Sequence, residues 1–151
     1  MKHLYSGAAA LALTFALFSP QAAMAHCQVP CGIYADDNVF EDLKKDHETI
    51  LKAMTEIEKL SADPAKNIHQ ITRWVANKES HAQSIQDTVG QYFLAQRVKL
   101  GEENKGSYLQ KLELLHEVIV YAMKCKQKLD VENADKLLAS IEAFEKLYKA
   151  K

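Results

Sequence analysis

Six residues between Phe40 and Ile57, namely Phe40, Leu43, His47, Ile50, Met54 and Ile57, recur at alternating intervals of three and four. A strand repeats every second residue, so only a helix gathers all six on one side. Two apolar positions per heptad form a narrow stripe, the seam of a helix packed in a bundle. Ala35-Asp36-Asp37-Asn38 supplies acidic and capping residues ahead of the stripe, and the helix is expected to end near Leu60 or Ser61.

The rest of the chain repeats this design. Asp63-Pro64 reads as a cap followed by proline at the first helical position, opening a second helix. Its seam runs through Ile71, Val75, Ala82, Ile85, Val89 and Tyr92, continuous to about Lys99 with a kink near Gly90. Gly101 to Gly106 is a loop, and Ser107 is placed to cap a third helix carrying Leu109, Leu112, Leu115, Ile119 and Met123. The pattern shifts register near Leu129-Asp130, and a fourth helix from about Val131 carries Ala134, Leu137, Leu138, Ile141, Phe144 and Leu147. With three prolines and five glycines in 151 residues there are few breaks, so the expectation is an all-α antiparallel four-helix bundle over residues 35–151. Cys125, without a Cys or His beside it in the sequence, reads as a packing residue, as do Trp74, Phe93, Tyr108 and Tyr121. His47 and His116 read as core histidines and His69 as a surface one.

Residues 1–25 have the pattern of a secretory signal. Lys2 and His3 precede an apolar run from Ala8 to Phe18, Pro20 breaks it, and Ala23-Met24-Ala25 places small residues where a signal peptidase needs them. The run is shorter than the ~20 residues of a membrane span. Cleavage between Ala25 and His26 is therefore expected, giving a periplasmic or secreted protein with no stable membrane association. The formal charge of −1, from 19 basic and 20 acidic residues without a basic block, argues against a nucleic-acid partner.

That cut makes His26 the first residue and exposes the segment His26-Cys27-Gln28-Val29-Pro30-Cys31-Gly32-Ile33-Tyr34, a metal-binding hook ahead of the bundle. The His26 amine and the deprotonated Cys27 amide close one five-membered chelate ring, and that amide with the Cys27 thiolate closes another. Cys31 adds a second thiolate if Val29-Pro30 turns the chain back. The product is a planar set of two nitrogens and two sulfurs with the His26 imidazole available axially. Such a plane selects Ni(II) or Cu(II), whereas zinc prefers a tetrahedron. An α-amine with an ordinary pKa of about 7.7 to 8 must lose its proton to bind, so loading weakens as pH falls.

The string His26-Cys-x-x-Pro-Cys-Gly-x-Tyr34, followed by a small helical domain, resembles the nickel superoxide dismutases. The resemblance implies nickel as cofactor, superoxide as substrate, and a homohexamer. It implies His26, Cys27 and Cys31 as metal ligands, a cis bond at Pro30, and Tyr34 over the open face, where its hydroxyl orders water or a small anion. A second tyrosine near the site corresponds to Tyr92 in Gln91-Tyr92-Phe93. Gln28 stands where the family often has Asp, and Val29 where it has Leu; neither change removes a ligand. For the family's imidazole-orienting acid the candidates are Glu41 and Asp42, with His47 and His81 further possible partners, and His81 or Asn77 falls where the family has arginine. A secretory signal takes the place of the family's usual propeptide. The alternative from another class is a non-catalytic exported nickel- or copper-binding protein, or a helical protein stapled by a Cys27–Cys31 disulfide.

Overall fold

The computed structural model describes residues 36–101 and 103–150, which form four α-helices with no strand among the described residues. Helix α1 spans Asp37–Leu60, α2 Pro64–Asp87, α3 Lys105–Gln127 and α4 Val131–Lys149. Between α2 and the following loop, Thr88–Arg97 continues the helix in π form. Each helix packs on its neighbours in sequence and α4 closes the ring on α1, as short connections require of an antiparallel bundle. Among the described residues no helix is long and apolar enough to cross a membrane.

Helix α1 is as its spacing predicts: Phe40, Leu43, His47, Ile50, Met54 and Ile57 are all buried. Asp63 caps α2 by accepting the Lys66 backbone N–H at 3.3 Å, with Pro64 in the first turn. Asp130 caps α4 in the same way through Glu132 N at 3.1 Å.

The structure departs from the sequence expectations in four places. The second helix does not run regularly to Lys99: it passes into π form at Thr88, and Val98 N bonds back five residues to Phe93 O at 2.8 Å. Val75 is 38% exposed, and the buried residue one turn on is Lys78, whose ammonium donates to the carbonyls of Cys125 (2.6 Å) and Lys126. Those carbonyls belong to the last turn of α3 and have no partner within the helix, so Lys78 caps α3 from inside the bundle. Helix α3 begins at Lys105, capped by Asn104, whose Oδ1 accepts the Ser107 N–H at 3.0 Å; Ser107 lies within the helix.

The fourth departure is the buried face of α3. It carries Leu115, Val118, Ala122 and Cys125, while Leu109 and Met123 stand out in solvent and His116 is exposed. The helix is apolar on several sides, through Leu112, Leu114, Ile119 and Tyr121 as well, so periodicity alone does not choose the face.

At one end of the bundle the core is aromatic. Phe40, Phe93, Phe144 and Tyr148, one or two from each of α1, the π segment and α4, have ring centroids 4.9–5.9 Å apart, several in edge-to-face geometry. This end is also where the chain enters α1.

Candidate functional site

The ligands expected from the sequence, His26, Cys27 and Cys31, lie outside the described residues, as do Tyr34 and the Ala25–His26 bond. The described chain begins two residues after Tyr34, at Asp36. Asp36 occupies the N-cap position of α1, where an aspartate ordinarily accepts a backbone N–H of the first turn. Here its side chain makes no capping bond.

Its carboxylate faces the aromatic end instead, where three donors converge. The Tyr92 hydroxyl donates to Oδ1. The Tyr148 hydroxyl donates to Oδ2 at 2.5 Å, and the Arg97 guanidinium donates to the same oxygen at 2.8 Å. Arg97 Nε also donates to the Tyr148 oxygen at 2.7 Å, closing the network. The Asp36 side chain is only 8% exposed. A buried carboxylate needs partners for its lone pairs, and two hydroxyls and a guanidinium provide them with charge assistance.

The π segment makes this convergence possible. Tyr92 and Arg97 are five residues apart, which in an α-helix would set them about 140° apart around the axis. In a π ladder, residues i and i+5 are hydrogen-bonded neighbours, so both side chains reach one carboxylate. Gln96 bridges the same turn, its Nε2 donating to Gln91 O at 2.9 Å.

The ionisation of the cluster follows from its contacts. Burial pushes the Asp36 carboxyl up, but bonds from Tyr148 and Tyr92 and the charge and bond of Arg97 together hold it below its ordinary value. Burial and then the Asp36 bond push the Tyr148 hydroxyl up to about 12. The same two effects raise Tyr92 further still, so its phenol stays protonated through neutral pH.

Beside Tyr92 runs a groove of about 620 Å³ between α1 and α2, lined by Asp42, Asp46, Ser80, Ser84 and Asp87 among others. None of its lining residues is basic, so it offers a small anion no counter-charge. Of the candidates for orienting an imidazole, Asp42 lines this groove and bonds Lys45 at 3.1 Å, while Glu41 is exposed and 3.8 Å from Lys44. His81 bonds Asp46 through Nδ1 at 2.6 Å, giving a half-buried pair across α1 and α2. Asn77 lies farther along α2, lining a second groove with Trp74. His47 is buried between α1 and α4 with its Nε2 unpartnered; burial lowers its pKa against a bond to the Ala134 backbone.

Nothing in the sequence marks Arg97 or Tyr148. An arginine and a tyrosine near helix ends carry no motif, and only the fold brings them to Asp36. The available signal was the aspartate itself, a capping residue close to the metal donors.

The residues ahead of Asp36 fit nickel in kind, since His26, Cys27 and Cys31 put an imidazole and two thiols, nitrogen and soft sulfur donors, within six residues. Among the described residues, no group of three or more His, Cys, Asp or Glu could hold a metal ion. A helical bundle with soft and nitrogen donors gathered ahead of its first helix defines a class, the small all-α metalloenzymes. More particularly, residues 21–151 match the family described as nickel-containing superoxide dismutase, and the chain belongs to that family. It is accordingly an oxidoreductase whose cofactor is nickel. No curated protein and no solved structure matches the chain.

Proposed function

We propose that the chain disproportionates superoxide to dioxygen and hydrogen peroxide at one nickel ion held by the mature N-terminus. One observation carries the reading: the family match covers residues 21–151 and therefore takes in the whole of 26–34, where the three donor residues stand. The His26 amine and imidazole, the Cys27 amide and thiolate and the Cys31 thiolate would hold the metal. Nickel in this anionic set supplies a one-electron couple between the two half-reactions of superoxide.

The remaining steps belong to the chain's own groups. Tyr34 orders water or the incoming anion over the open face. Tyr92 is occupied: its hydroxyl donates a hydrogen bond to Asp36 and keeps its proton, its pKa being raised. It serves the site by position rather than as an acid, so protons for peroxide come from water ordered at Tyr34 or from a protonated group beside the metal.

The amine ligand exists only if residues 1–25 are removed, so export and cleavage at Ala25–His26 are part of the proposal. The product is periplasmic or secreted, free of the membrane, and a homohexamer. Intact mass and N-terminal sequencing of the exported protein should show His26 first; any residue left ahead of it removes a ligand and ends the hypothesis. Metal analysis with a superoxide decay assay should show nickel and turnover together. Nickel without turnover would make the chain a carrier, and a Cys27–Cys31 disulfide in fully active protein would remove both thiolates from the scheme.

A further inference from the structure

We propose that Asp36, with Arg97, Tyr148 and Tyr92, is the anchor that positions the metal-binding N-terminus on the bundle. This rests on the hook reading above and adds to it a set of positioning residues in the described fold.

Three observations point this way. Asp36 leaves its capping role unfilled, although α1 would gain from a cap, and turns its carboxylate to tertiary partners. Those partners come from two separate elements, the π segment and the last turn of α4, so the entry point of the chain is tied to the bundle from two sides. Asp36 also follows Cys31 by five residues, which restricts Cys31 Cα to within about 18 Å of it, by the reach of a fully extended chain. Asp36 is therefore the described residue nearest in the chain to the proposed ligands that is tied to the bundle. Beneath the carboxylate, the Tyr148 ring packs on Phe40, Phe93 and Phe144, which resists displacement of the anchor itself.

A metal held by residues so close to Asp36 in the chain needs that root to be fixed, because ligand orientation depends on the shell behind it. Apolar packing alone, which has no direction, would not do this. A carboxylate with three charge-assisted partners does.

The test uses nickel-loaded exported protein that begins at His26 and compares wild type with Asp36→Asn and Tyr148→Phe. Asp36→Asn keeps the side chain's shape and sacrifices no cap. Four quantities are measured: nickel per chain, the electron paramagnetic resonance line shape of the oxidised protein, turnover per bound nickel, and helicity by circular dichroism. The expected result is native helicity with an altered or broadened resonance and ~10-fold or greater loss of turnover per nickel in Asp36→Asn, the range typical of groups that orient ligands. Tyr148→Phe, which removes one donor and preserves the ring packing, should shift the resonance in the same direction by less, and it carries the test if Asp36→Asn does not fold. A melting temperature that falls while line shape and turnover per nickel stay at wild-type values would make the cluster purely structural and overturn the inference. Wild-type protein that binds no nickel would overturn the hook reading instead, and this inference with it.

Discussion

Asp36, Tyr148 and His47 each respond to pH in a direction set by their surroundings. The Asp36 carboxyl is held low, so its contribution to stability is complete above the unfolded value near 3.9 and is lost as pH falls through the folded value. Tyr148 runs the opposite way. Its folded pKa is raised to about 12 from 10.0, so its contribution is complete below pH 10 and is lost as pH climbs from there through about 12. Tyr148→Phe should therefore be less stable than wild type at pH 8 and should narrow that gap between pH 10 and 12; denaturant melts at both pH values check this, and a constant gap would refute it. His47 is a base held low by burial, so its contribution is complete above about 6.5 and falls away below it, as the unfolded chain gains a proton that the folded ring resists. His47→Leu should weaken the drop in melting temperature from pH 7 to pH 5. Parallel pH profiles for variant and wild type would show that another group drives acid sensitivity.

Among the elements, α1 shows how much periodicity can reveal and α3 how little. All six seam positions of α1 are buried because polar residues fill most of the positions between them, leaving the helix mainly one apolar side. In α3 apolar residues lie around much of the circumference, and the face toward the core was selected by the partners α2 and α4. Lys78 was invisible to a hydrophobic pattern for a related reason: it is buried by what its ammonium reaches, the bare carbonyls at the end of α3. The π segment has no sequence signature either, and Gly90 within it needs no glycine for space. An added Cβ there would meet nothing within 4 Å. Gly90→Ala should consequently stabilise the protein by about 0.5–1 kcal/mol through the loss of unfolded-state freedom. Chemical denaturation measures it, and destabilisation would mean that the π geometry depends on glycine.

At the scale of the molecule, the bundle is built without the residues proposed as metal donors. The aromatic end, the α1–α4 ion pairs Lys44–Glu145 at 2.8 Å and Lys149–Asp37 at 2.6 Å, and the Lys78 cap are all built within residues 36–150. Cys27→Ser or Cys31→Ser should thus abolish nickel binding and turnover while leaving the far-ultraviolet circular dichroism almost unchanged. A large loss of helical signal would show instead that the two thiols hold the fold, as a disulfide staple would.

The amino-acid sequence by itself determined the helical class and the six-residue seam of α1, and it is the whole basis for proposing His26, Cys27 and Cys31 as donors. Each is a property of residues close together in the chain, where helical pitch and chelate-ring size are the governing constraints. The tertiary structure alone decided which face of α3 is buried and what Asp36 does. Tyr148 and Asp36 are 112 residues apart, and no local rule relates them. Their meeting depends on α4 closing on α1 and on a π turn that brings Tyr92 and Arg97 to the same side.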